Sequence, residues 1–206
     1  MGTQDIQIDF TFEDPFGYDA REPEHHLQYV SGVVRSWSAG EIEHDDGRVL
    51  PMPISTVTAW VIDPFAVAES GESVTCMMDA QCGDLARFIS LFDGDEVRDD
   101  LAELGSTVVI IDQVKLDDAW RGRGIGREVV ARTSLTLSRG MGLVAIEAAP
   151  LADDEESRLT GNEWEAAAER IAKNWERVGF QRLDNTRILS MDLAQRSSGD
   201  ALRACL

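Results

Sequence analysis

Apolar and polar residues alternate strictly from Gln4 to Phe12, placing Ile6, Ile8, Phe10 and Phe12 on one side. A period of two predicts a half-buried strand. Residues 28–37 and 57–63 read as further strands. The segment between them, Gly40 to Arg48, is largely polar, and its Asp46-Gly47 pair suits a turn. From Met78 the period changes: Met78, Cys82, Leu85, Ile89 and Phe92 recur at helical spacing, with Asp79 near the start and Asp93-Gly94 at the end. That predicts an amphipathic helix, and a second short one is expected over 95–104. Gly105 breaks the pattern, and residues 107–116 read as a long strand buried on both faces at its start.

Beyond residues 120–126, Val129, Val130, Thr133 and Leu137 share one helix face. Arg127, Glu128, Arg132 and Arg139 take the opposite, solvent face, and Gly140 is placed to end the helix. Residues 143–149 return to strand. Strand, turn, helix, strand is a βαβ unit, so 107–116 and 143–149 are expected to be parallel neighbours joined by a right-handed crossover. After an acidic loop, Asn162 is the expected cap of the next helix, with Glu165 as its capping-box partner. The apolar stripe of that helix is Trp164, Ala167, Ala168, Ile171, Trp175 and Val178, and Gly179 stops it. Phe180–Leu183 and Arg187–Leu193 form a closing hairpin around Asp184-Asn185, and Ala194–Leu206, without a pattern, is expected to be a loose tail.

A length of 206 residues with 43% hydrophobic content suits a single domain. Lys plus Arg number 19 and Asp plus Glu 38, a formal charge of −19. Such a surface repels a nucleic acid backbone, which is discounted as a partner. It keeps a protein in solution and also gathers amines and other cations. No apolar run approaches the ~20 residues a bilayer span needs. The N-terminal residues lack signal-peptide order and the cysteines lack metal or redox spacing, so a soluble, cytoplasmic protein without membrane attachment is expected. His25, His26 and His44 lie among carboxylates without ligand spacing, and are read as solvated loop residues.

The chemistry concentrates in Trp120-Arg121-Gly122-Arg123-Gly124-Ile125-Gly126, set between a strand and a helix. A helix start offers unpaired N–H groups and a partial positive charge, and glycines let the backbone curl around an anion. The dinucleotide fingerprint requires glycine where Arg127 stands. A methyltransferase turn matches the alternating glycines, and Glu147 suits a ribose-binding acid, but Trp120 replaces the leading acid. The third pattern is Arg/Gln-x-x-Gly-x-Gly/Ala, here residues 121–126, and over these the chain resembles the GNAT superfamily of acyl-CoA N-acyltransferases. Leu116 stands where that family has a valine and Trp120 where it has an aromatic residue. Trp175-Glu176-Arg177-Val178-Gly179-Phe180 is similar to its terminal signature. The similarity spans about residues 107–193.

The resemblance implies an α/β (α+β) fold: a mixed, mostly antiparallel central sheet with one parallel pair, 107–116 and 143–149, and flanking helices. Residues 1–105 would form the acceptor side and 106–193 the acetyl-CoA-binding half. The coenzyme diphosphate would rest on Arg121, Gly122, Arg123, Gly124, Ile125, Gly126 and Arg127, and the pantetheine arm on the backbone of Val114 and Leu116. The implied reaction is transfer of an acetyl group from acetyl-CoA to an amine of a small molecule or protein, with a cationic acceptor mildly favoured; monomer and homodimer are both open.

A carboxylate must take the amine's proton. Asp112, placed by alternation on the same strand face as Val114 and Leu116, and Glu147 on the neighbouring strand are the candidates. Trp175 occupies the position where the family often has a proton-donating tyrosine, and an indole cannot serve so. A non-catalytic acyl-CoA sensor therefore stays open as a second reading, and a methyltransferase as a remote third. The order of elements before residue 107 departs from the usual family order, so no acceptor carries over.

Overall fold

The computed structural model describes residues 5–13, 26–44, 47–71, 73–81, 83–92, 107–139, 142–151, 159–183 and 186–206. Among these residues seven strands form one sheet: β1 (Ile6–Glu13), β2 (Leu27–Glu43), β3 (Val49–Ile62), β4 (Val108–Leu116), β5 (Leu143–Glu147), β6 (Gln181–Arg182) and β7 (Ile188–Asp192). Their order is β1-β2-β3-β4-β5-β7-β6, and every pair is antiparallel except β4–β5. Three short helices, α1 (Pro64–Glu69), α2 (Val74–Gln81) and α3 (Gly83–Ala86), contribute to the apolar cluster on one face. The other face is covered by α4 (Ile125–Leu137), α5 (Asn162–Glu176) and α6 (Arg196–Arg203). The fold is thus mixed α/β with a mostly antiparallel sheet, one parallel pair and flanking helices.

Alternation decides which residues meet which layer. In β4, Val109 and Ile111 join the cluster under α4 and α5, while Val108 and Ile110 join the one under α1 to α3. All four are fully buried, as a strand sandwiched between two helical layers requires. Glycine is required where β5 begins. Gly142 has φ +104, and a Cβ there would lie 2.0 Å from the Thr107 carbonyl oxygen, which accepts from Leu143 N–H at 3.0 Å.

Several expectations need correction. Residues 194–206 are no loose tail: α6 docks on α4, and Leu202 is fully buried. The segment holds too few apolar residues to show a stripe, so packing rather than periodicity makes the helix. Leu202→Ala should destabilise by about 2–5 kcal/mol, read as a lower thermal midpoint. Glu128 is buried, not solvated, because Arg132 follows it one turn later and its Nη2 binds the carboxylate at 2.9 Å. Gly161, not Asn162, caps α5, and the Glu165 side chain pairs with Arg187 instead of closing a capping box.

The single helix expected from Met78 is α2, α3 and a 3-10 turn at Ile89–Leu91, with Val74 already helical. β2 and β3 run further than expected, pairing as far as Glu43 and Val49 in a polar hairpin arm that the exposed alternation of that segment permits. The helix over 95–104, Gly140 and the turn at Asp184-Asn185 lie outside the described residues. Among the described residues no helix is long and apolar enough to cross a membrane.

Candidate functional site

The parallel ladder between β4 and β5 runs only from Val108↔Leu143 to Ile111↔Ile146. β4 continues to Leu116 on β3 alone, so the two strands part beyond residue 111. The reason sits at the parting point. Thr58 pairs with Gln113 and Ala59 with Ile111, leaving Asp112 as the extra residue of a β-bulge. A bulge bends its strand and reverses the phase of the side chains beyond it.

The reversed phase corrects the placement of Asp112. Val114 and Leu116 pack on the cluster beneath α4 and α5, as Val109 and Ile111 do. Asp112 turns to the opposite face, where its Oδ2 accepts from Thr58 Oγ1 at 3.1 Å and its Oδ1 lies 3.8 Å from Arg87 Nη2. Glu147 joins it there, accepting from Arg87 Nη1. The two acids are therefore neighbours, but not on the face that simple alternation gives Asp112.

Between the parted strands lies a cleft of about 540 Å³. Asp112, Gln113 and Glu147 line one part of it, Val114 and Leu116 another, and Arg121, Gly122, Gly124, Gly126 and Arg127 a third. From α5 come Ala167, Arg170, Ile171, Asn174 and Trp175. The expected site residues are thus gathered along one channel, with two exceptions. Ile125 is buried in the core, and Arg123 stacks on Trp120 at 5.1 Å, on the far side of the turn. Both border a second cavity of about 280 Å³ that also includes Cys205. Burial pushes that thiol's pKa up, with Arg127 pulling the other way.

The turn has the geometry that the glycines suggested. A single 3-10 turn at Asp118–Trp120 ends β4's run, and Gly122 and Gly124 then take φ +71 and +84. Gly124 caps α4, and its carbonyl accepts from Arg127 N–H at 3.1 Å and Glu128 N–H at 3.4 Å. The N–H groups of Ile125 and Gly126 precede that first ladder bond, so the helix provides them no acceptor. Arg121 Nε donates to the Leu116 carbonyl at 3.2 Å, tying the turn to the strand.

Three participants escaped the sequence reading. Arg87 had no signal, since it follows a short helix and meets the acids only through packing. Thr58 lies across the bulge, and Tyr29 meets Trp60 beside it in a tilted ring contact, centroids 4.9 Å apart. Burial pushes the Tyr29 hydroxyl pKa up; a hydrogen bond with Thr58 opposes this, and the charge of Asp112 adds to it. Trp175 is buried, in an edge contact with Phe180 at 6.3 Å, which fits its expected core role.

No family model matches the chain, and no curated protein matches it. Two solved chains are similar in structure. One, a crystal structure of a mutant of KacT, superposes with a TM-score of 0.42 at 12% sequence identity, covering 98% of this chain and 100% of that one. At that distance nothing about substrate or chemistry passes from one chain to the other.

Proposed function

We propose that the protein is an acetyl-CoA-dependent N-acetyltransferase of the GNAT type, acting on a primary amine. The observation that carries this reading is the single channel joining a glycine-rich helix start, a pair of parted parallel strands and two carboxylates. The amides at residues 124–126 and the guanidinium groups of Arg121 and Arg127 suit a diphosphate. Beyond Ile111, where the ladder with β5 ends, β4 offers backbone groups to an amide-bearing arm. A thioester at the apex would then lie beside Asp112 and Glu147.

In this reading one of those carboxylates takes a proton from the acceptor ammonium, freeing the nitrogen lone pair. The C–N bond forms as the C–S bond breaks; the nitrogen then gives up its second proton to solvent, and the thiolate takes one from solvent. Removing both acids by Asp112→Asn with Glu147→Gln should lower kcat/KM for the amine about 100-fold or more, with acetyl-CoA affinity retained. Thiol release and calorimetry measure the two quantities; undiminished turnover in the folded double variant would exclude both acids as bases. A second reading, an acyl-CoA sensor without turnover, draws on the buried indole of Trp175 where a proton donor would stand. Absence of thiol release across a broad amine panel, with CoA binding intact, would favour it.

A further inference from the structure

Asp112 and Glu147 stand on strands that have already parted, so no bond between β4 and β5 fixes the spacing of their carboxylates. Arg87 bridges them. Its Nη1 donates to Glu147 Oε2, and its Nη2 lies 3.8 Å from Asp112 Oδ1. The backbone of Arg87 is anchored on both sides, since Leu85 and Phe88 are each 1% exposed. Its side chain is different, 44% exposed against 28% for Asp112 and 16% for Glu147. A fixed root with an exposed, many-jointed stem lets the guanidinium swing away while the fold stays in place.

We propose that Arg87 is the positioning residue of the acceptor end of the cleft. It holds the two carboxylates where either can meet an acceptor nitrogen, and it is the internal cation that the acceptor's ammonium must displace. The inference rests on the acetyl-transfer reading and deepens it. Among the described residues the cluster holds two carboxylates and one guanidinium, one net negative charge, so it attracts a protonated amine. Once that amine sits between the acids, guanidinium and ammonium repel at short range, and the exposed partner is the one that yields. Acceptors whose amine stands clear of any carboxylate are favoured, because an acid beside the amine would face Asp112 or Glu147.

The test uses n-butylamine as acceptor probe, with the full chain and its Arg87→Gln and Arg87→Lys variants. Without the internal competitor, Arg87→Gln should lower KM for the amine about fivefold, in keeping with a part-exposed ion pair. kcat should change little, because the guanidinium has already left the acids in the amine complex, and a merely structural role would not split KM from kcat in this way. Arg87→Lys, which keeps an internal cation, should return KM towards wild type. In parallel, n-butylammonium chloride is titrated onto the 15N-arginine-labelled wild-type protein. Movement of the Arg87 side-chain signal towards that of a free guanidinium supports displacement even where thiol release fails, in which case the transfer reading falls and the competition stands. A static Arg87 signal, or a KM in Arg87→Gln that is unchanged or raised, overturns the proposal.

Discussion

Gly124→Asp should weaken acetyl-CoA binding by about 100-fold while leaving a folded protein. Gly124 is the cap of α4 at φ +84, at the point where the cleft meets the helix start. Asp tolerates the left-handed region better than most residues, and a Cβ there meets only the tip of the Arg127 side chain, at 3.2 Å. The stability loss is therefore small, about 1 kcal/mol. The effect on binding is electrostatic. A carboxylate about 4 Å from a phosphate at an effective dielectric near 20 is repelled by about 4 kcal/mol, and solvent in an open turn reduces that to about 3. Gly124→Ala is the control, since it brings at least as much backbone strain without the charge. Calorimetry on the three proteins should give a small loss for alanine and a large one for aspartate. Equal losses would mean that no anion rests on this turn.

A large effect on stability, coupled to one on binding, is expected of Gly142→Ala. An alanine methyl would lie 2.0 Å from the Thr107 carbonyl oxygen and 3.0 Å from the Thr107 nitrogen, both backbone atoms that cannot rotate away. Overpacking of this kind costs about 1–3 kcal/mol, and the left-handed backbone adds about 1–2. A combined loss of about 3–4 kcal/mol corresponds to a thermal midpoint lower by about 10 °C for a chain of this length. The clash also strikes the hydrogen bond from Leu143 to Thr107 that opens the parallel ladder. Cleft width should change with it, so acetyl-CoA binding should weaken too, although Gly142 does not line the cleft. A thermal melt within a degree or two of wild type would show that β5 can shift without consequence.

The contrast between these glycines and Asp112 explains what could be read in advance. The turn at 120–126 was legible because a strand-to-helix turn that takes φ +71 and +84 needs glycines at those positions, and their spacing is written in the chain. The βαβ unit was legible because the run from Thr107 to Leu116 changes to helical periodicity and back within a few residues. A bulge has no such mark. Whether Asp112 or a neighbour becomes the extra residue depends on the register between β3 and β4, a long-range property, and that register decides which face the acid takes.

Arg87 and α6 were hidden for a related reason. Each is placed by tertiary contacts: Arg87 by the buried Leu85 and Phe88 beside it, and α6 by the fully buried Leu202. Glu128 misled because helical periodicity assigns a face but not the partner, Arg132, that makes its burial tolerable.

What the channel holds decides the chemistry. Isothermal calorimetry of the full chain with acetyl-CoA, free CoA and S-adenosylmethionine is the most direct measurement. It should give saturable, one-to-one binding for both CoA species and none for S-adenosylmethionine. No heat with either CoA species would contradict the account, whatever the amines do.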